Sequence, residues 1–360
     1  MNFNKLYKVL CCLDDNIIIC SHQSTLMKID ETNGNILSKI ELDISPIHKL
    51  FSFSKLYTRF FRNEVFSVCL HEDIIFVSFK NTIYEIHLAS FTLLKTYSNF
   101  VGSRPLNMTS VKDIDGFDNG VYFGDYYFNK EQEESGIYRI ANSTLEKVYT
   151  FPNGVIDHTH NIICDSKRSC LYIMTGDFGD AAGIWKSSNN FQNVESILRG
   201  DQMYRACYGF IANDHLVYFT DSQFTANYMI KLDLNYIHST SIEKVAQING
   251  PCIYGTYVNG KYLISTSCEP EIDKYTFFNI WSNKPGFGIY HNEVKIYSID
   301  PDNLDIKQIH SFHKDIHSMT LFQFGNGFFP LNHRKSNDTY VYTIAVKNHD
   351  LSTTKISVNA

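Results

Sequence analysis

The sequence predicts an all-β fold, a single β-propeller of about seven four-stranded blades. Three observations predict it: an internal repeat, a meander of short strand-forming runs along the whole chain, and a composition rich in strand formers. The repeat needs no gap. NIIICSHQSTLMKIDETNGNILSKI, from Asn16, lies over DIIFVSFKNTIYEIHLASFTLLKTY, from Asp73, so that Ile17 falls on Ile74, Thr25 on Thr82, Ile29 on Ile86 and Leu37 on Leu94. Each copy, with the preceding KVLCC or FSVCL, holds four short runs of strand-forming residues divided by turn residues such as Asp-Asn and Asn-Gly. Four meandering strands per unit is a propeller blade.

Among the 360 residues are 27 Phe and 23 Tyr, with only 8 Pro, which favours strands over helices. The formal net charge of −6 comes without a basic block, which gives a nucleic-acid partner no electrostatic support. The opening LYKVLCCL is too short to span a membrane and is broken by Asp14 and Asp15, with no small-residue cleavage site after it. A cytoplasmic protein with no membrane span is expected. The 9 cysteines form no C-x-x-C pair and sit mostly in apolar runs, as buried reduced thiols do.

The units follow in order at about 5–42, 64–98, 107–151, 158–198, 204–248, 252–312 and 317–358, one propeller domain over 1–360. The third runs through GVYFGDYY, SGIYRI and TLEKVYTF, the fourth through THNIIC, CLYIMTG, AGIWKS and NVESIL. The fifth has RACYGFI, HLVYFTD, NYMIKLD and IEKVAQI, and the sixth CIYGTYV, KYLISTS, NEVKIYSID and IKQIHSF. The seventh, SMTLFQFG, GFFP, TYVYTIAV and TTKISV, is less regular in its second strand. Two stretches break the period, Asp43 to Asn63 and Glu269 to Asn292, and both read as surface excursions. The second carries Phe277, Phe278 and Trp281 beside a PGFG turn at Pro285, aromatics that would pack the loop down or stack on a sugar face.

In a blade, the loop between the second and third strands and the loop leading into the innermost strand open on one face. At the end of the second strand four consecutive units carry an acid: Asp125, Asp177, Asp221 and Glu269. The loops into the first strands supply Arg104, His158 and His160 in DHTHN, Arg205, and Lys314, Asp315 and His317. A strand-end acid also caps turns through its own backbone, so each acid taken singly has a structural alternative. His158 and His160 stand two apart, which puts both imidazoles on one side of a strand, suited to chelating a metal or to holding two ligand oxygens. No metal or other cofactor is required by the sequence; a divalent ion would use this pair. Arg205 opens an inner strand, where a charge needs an anion or a carboxylate. Arg104, Arg205, Asn227, Lys314 and Asp315 are the candidate substrate-binding residues, and the four acids with the two histidines the candidate catalytic ones. No phosphate-loop, serine-hydrolase or zinc-protease motif occurs.

The run GIWKSSNNFQNVES resembles a worn Asp-box, the S-x-D-x-G-x-T-W turn of neuraminidase-like repeats. Ser187 and Asn189 stand where Ser and Asp belong, while Phe191 and Val194 replace Gly and Trp. GVYFGDYYFN, YTFPNGVIDHTHNIICD, YIMTGDFGD, QMYRACYGFI, TDSQFTANYMIKLD, STSCEP and FHKDIHSMTLFQFG, over about residues 100 to 330, resemble a family of sialidase-like propellers encoded beside bacterial surface-polysaccharide genes. The resemblance implies a propeller and glycan chemistry, but true sialidases carry R-I-P and three arginines where this chain has SRPLN, Arg104 and Arg205.

Three functions stay open. One is a glycoside hydrolase acting on an acidic sugar of a surface polysaccharide, with an acid and a partner carboxylate drawn from the four acids and Arg104 and Arg205 holding the substrate carboxylate. Another is a polysaccharide lyase using His158 or His160 as base or metal ligand and Arg205 to neutralise a uronate. The last is a non-catalytic propeller that binds a glycan or scaffolds other proteins.

Overall fold

The computed structural model describes residues 7–13, 16–102, 104–237, 241–271 and 279–359. The fold is a seven-bladed β-propeller. Six blades are antiparallel meanders of four consecutive strands, for instance Lys8–Cys12, Ile17–His22, Thr25–Asp30 and Ile36–Glu41 in blade 1, and His158–Asp165, Cys170–Gly176, Gly183–Ser187 and Glu195–Arg199 in blade 4. Among the described residues blade 7 has three strands, Asn326–Phe328, Asp338–Ile344 and Ser352–Ser357.

The repeat holds down to register and backbone conformation. Ile17 pairs with Asp30 and His22 with Thr25 in blade 1, as Ile74 pairs with His87 and Phe79 with Thr82 in blade 2. The bulge toward the fourth strand falls between Lys28 and Ile29 in one copy and between Glu85 and Ile86 in the other. Even the left-handed turn positions coincide, Gln23 with Lys80 and Gly34 with Phe91.

A second irregularity recurs in the inner strands. Their register against the second strand slips between Val9 and Cys11, Val65 and Ser67, Thr159 and Asn161, Ala206 and Tyr208, and Cys252 and Tyr254. An extra residue at this point bends the strand and re-aims its side chains. In blade 4 that residue is His160.

The chain divides into two compact units, one of residues 1–64, 221–228 and 246–360, the other of residues 65–220 and 229–245. In the first, Leu331–Asn332 runs parallel to Lys8–Cys12, pairing Cys11 with Leu331 and Cys12 with Asn332, so the first and last blades join through backbone hydrogen bonds. Its core joins blades 6 and 7 through Leu263, Val294, Ile296, Val341 and Ile356. In the second, apolar side chains of blades 3 and 4 interdigitate around Tyr122, Ile137, Phe151, Leu171, Ile173 and Trp185. In blade 2 the second and third strands are buried, whereas the fourth, Thr92–Tyr97, faces solvent.

Two local expectations change. Residues 43–63 do not merely leave the surface: they form helices Pro46–Phe51 and Lys55–Phe61, capped by Ser45 and Ser54, and drive Arg59 to zero exposure. There its Nε donates to the Phe322 carbonyl at 2.5 Å and its NH1 meets Asp315 Oδ2 at 2.5 Å and Asp350 Oδ2 at 3.5 Å. An arginine can be buried because these acceptors replace its water. The run SMTLFQFG is not a strand; Ser318 Oγ accepts from Leu321 N–H and the strand begins at Asn326. In the sixth-blade excursion Trp281 is exposed, while Phe277 and Phe278 lie outside the described residues. Among the described residues no disulfide joins the nine cysteines, eight of which are buried, and burial pushes the Cys69 thiol up to about 12.

Candidate functional site

The structure gathers four of the sequence-derived candidates, His158, His160, Asp177 and Arg205, within the unit of residues 65–220 and 229–245. His158 opens the inner strand of blade 4 and His160 is its bulge residue. Asp177 follows the second strand of the same blade, and Arg205 ends the short helical turn Gln202–Tyr204 that leads into blade 5. The imidazoles do meet, but through the bulge rather than through regular alternation.

Each imidazole is oriented by its Nδ1, which lies 2.8 Å from the Tyr127 carbonyl in His158 and 2.9 Å from the Ala206 carbonyl in His160. A carbonyl only accepts, so both Nδ1 atoms carry hydrogen and donate it. The two Nε2 atoms then point at one another at 3.0 Å. Asp177 Oδ1 lies 3.2 Å from His160 Nε2 and 3.6 Å from His158 Nε2, and Arg205 NH2 lies 3.1 Å from the same oxygen. Burial alone would raise the Asp177 carboxyl; Arg205 and the two histidines outweigh it and hold the group well below the usual carboxylate range.

The supports around this cluster are specific. Asp157 Oδ2 accepts from the N–H groups of Asp177, at 2.6 Å, and Phe178, at 3.2 Å, and Gln202 donates to the Asp177 carbonyl at 2.8 Å. The Gly176–Asp177 peptide is cis. Any Cβ on Gly176 would stand 2.1 Å from His160 Cε1, so glycine makes the room that the imidazole fills. Tyr126 packs edge-on to His158 with ring centroids 4.7 Å apart, and Asn107 donates to the His160 carbonyl at 3.0 Å. Phe178, 41% exposed, lies 5.7 Å from the Arg205 guanidinium carbon, and Phe128 is 75% exposed. Asp157 and Gly176 are adjacent to candidate residues in DHTH and TGD, yet their roles depend on folding and carry no motif of their own.

The remaining candidates are Asp125 and Arg104 in the same unit and five residues of the other. Asp125, 1% exposed, accepts from Gly136 N–H at 2.6 Å through Oδ2, and burial raises its carboxyl to about 6. Arg104 stacks on Phe66, its guanidinium carbon 4.0 Å from the ring centre. Asp221, Asn227, Glu269, Lys314 and Asp315 belong to the other unit. There the Asn227 amide binds the Ser222, Thr225 and Gly288 carbonyls, and Glu269 accepts from Ser267 Oγ at 2.8 Å. Lys314 donates to Asp315 at 2.5 Å and to the His317 carbonyl at 3.1 Å. The weakened Asp-box sequence folds into a tight turn in which Ser187 Oγ accepts from Phe191 N–H at 3.1 Å and Asn189 Oδ1 from Asn193 N–H at 3.0 Å.

His158, His160 and Asp177 each turn a donor atom to one point, all within 4.8 Å of one another, so they can share a proton or hold a cation. No family profile matches the chain, and no curated protein is recognisably similar to it. Among solved structures it is similar to the Cps50 (Swd1) β-propeller domain of Myceliophteria thermophila, with a TM-score of 0.56 at 8% identity over 99% of this chain and 97% of that one. It is similar to U3-55K, with a TM-score of 0.55 at 9% identity over 99% and 97% of the two chains. It is also similar to the Kuenenia stuttgartiensis hydrazine synthase, with a TM-score of 0.53 at 8% identity over 99% and 96%. Such identities show the fold alone. Among the described residues no helix is long and apolar enough to cross a membrane.

Proposed function

We propose that the chain is a glycan-active propeller that engages the carboxylate of an acidic sugar, from a bacterial surface polysaccharide, at the cluster of His158, His160, Asp177 and Arg205. One observation carries this reading: a buried guanidinium and two imidazoles converge on a single carboxylate oxygen beside the exposed ring of Phe178. A buried guanidinium recognises anions strongly, and the exposed ring of Phe178 offers a face to the apolar side of a sugar. The Ser187–Asn193 turn, hydrogen-bonded through Ser187 and Asn189, supports the resemblance from which the glycan expectation came.

Among the three chemistries the geometry favours elimination over hydrolysis. Hydrolysis needs two carboxyl groups that reach the scissile bond, one of them able to give a proton. Asp177 is held ionised by Arg205, and Asp125 is turned into its own hairpin at 1% exposure. Elimination instead begins by neutralising a uronate carboxylate, which acidifies the adjacent C–H; a base takes that proton, the bond to the neighbouring sugar oxygen breaks, and the oxygen is protonated as it leaves. The cluster supplies the neutralising half of that chemistry.

Incubation with a panel of uronate-containing polysaccharides tests the reading. An ultraviolet-absorbing unsaturated product is expected. New reducing ends without absorbance would return the site to hydrolysis, binding without product would make the chain a glycan-binding module, and no binding to any acidic glycan would sink the proposal.

A further inference from the structure

We infer that His158, His160 and Asp177 form a binding site for one divalent transition-metal ion. The inference deepens the glycan reading by naming what neutralises the sugar carboxylate together with Arg205, and that part of it rests on that reading; the ion site itself does not.

Three features choose a cation over a shared proton. A proton links two atoms, whereas here three donors face one point: the Nε2 atoms are 3.0 Å apart, and Asp177 Oδ1 lies 3.2 and 3.6 Å from them. An ion at about 2.0–2.2 Å from each ligand, in tetrahedral or octahedral geometry, sets ligand–ligand edges of about 2.8–3.6 Å, which spans all three distances. Secondly, both imidazoles spend Nδ1–H on backbone carbonyls, of Tyr127 and Ala206, and so present Nε2 lone pairs that no tautomer can turn away. This outer support is the usual way that ligating histidines are aimed. Thirdly, the ligands are fixed in advance: Gly176 leaves the space that the His160 ring occupies, and Asp157 holds the Asp177 backbone by two N–H groups.

Two nitrogens and one oxygen suit zinc and its first-row neighbours rather than calcium or magnesium. Three protein ligands leave at least one position open, the arrangement of sites that bind or transform a ligand rather than only tie a fold together. Arg205 does not displace the ion, because Asp177 Oδ1 can give one lone pair to the guanidinium at 3.1 Å and another to the metal. On the glycan reading the ion and Arg205 together neutralise the sugar carboxylate.

The test uses the full chain, stripped with a chelator and dialysed, then titrated calorimetrically with zinc and with manganese, with metal content measured after desalting. One equivalent is expected for at least one of the two metals, together with a rise in Tm on adding the ion. His158→Ala, His160→Ala and Asp177→Asn should each weaken binding by about 100-fold or more and remove the Tm rise, the order of loss that a missing ligand or its support produces. His313→Ala, at an exposed histidine of the other unit, should bind as the wild type does. Circular dichroism separates loss of binding from loss of fold, and Asp177→Asn, which keeps the side-chain shape, stands in where a histidine variant fails to fold. No binding of either metal by the folded wild type, or undiminished binding by Asp177→Asn, would overturn the inference. Glycan binding measured with chelator present keeps the two proposals apart: if it persists in a protein that takes up no metal, only the ion site falls.

Discussion

His158 and His160 meet Nε2 to Nε2 at 3.0 Å because His160 is the extra residue of a bulge that recurs in the inner strands of other blades. Elsewhere that position holds Leu10, Phe66, Cys207 and Ile253, so of these five bulges only that of blade 4 carries a histidine. The bulge needs room on the neighbouring strand, and Gly176 provides it. Gly176→Ala should therefore push the His160 ring out of the cluster and cost about 1–3 kcal/mol of stability. Imidazole nitrogen shifts in NMR spectra should show His160 leaving its present environment; unchanged shifts would mean that the backbone absorbs the methyl group without moving the ring.

Arg205 and Asp177 are coupled through one oxygen, with the guanidinium buried and the carboxylate about a quarter exposed. Arg205→Ala leaves Asp177 with partners that are uncharged unless protonated, and should lower stability by about 1–3 kcal/mol, less than for a wholly buried pair. The double variant with Asp177→Asn should lose less than the sum of the two single variants. Urea unfolding of all four proteins measures this; strict additivity would show that the ion pair contributes nothing.

How far the sequence could be read depends on the range of the interactions involved. The repeat from Asn16 to Tyr97 was legible because strand register and turn conformation are local, which is why Gln23 and Lys80 share a left-handed backbone despite different side chains. The histidine pair was legible as unusual residue types close together in the chain, but the bulge that brings the rings together was not. Arg59 was not: the stretch looked like an outside loop, and only long-range acceptors at Asp315, Asp350 and Phe322 permit its burial. Asp125 and Asp177 occupy the same place in the repeat pattern, yet one caps its own hairpin and the other joins the cluster, because the carboxylate follows whichever N–H or cation lies nearest after folding.

Phe191 offers a contest between backbone and packing. It sits at φ 63°, where glycine belongs in an Asp-box turn, and is 2% exposed, stacked on Tyr122 at a centroid distance of 5.6 Å. Glycine would relieve about 1 kcal/mol of left-handed strain. Loss of the buried ring costs about 3–5 kcal/mol. Phe191→Gly should therefore destabilise by about 2–4 kcal/mol. A thermal melt that rises instead would show that strain dominates this turn.

Asp125 gives a prediction in pH. Burial raises its carboxyl to about 6, against the hydrogen bond from Gly136 N–H that favours the anion. The unfolded chain titrates near 3.9. Between these values the folded state holds a proton that the unfolded state has lost, so this group's contribution to stability is fully present below about 4 and is lost as pH rises to about 6. Above that the ionised, buried carboxylate costs roughly 2–3 kcal/mol relative to acid conditions. Asn at this position keeps an oxygen to accept from Gly136 and removes the charge. Asp125→Asn should therefore be more stable than the wild type at about pH 7, with the two unfolding free energies converging as pH falls from about 6 to about 4. Urea titrations at half-unit steps across that range and up to about pH 8 would show it. A difference that stays constant across that window would mean that Asp125 does not titrate there, and an Asn variant less stable at neutral pH would mean that the charged hydrogen bond outweighs desolvation.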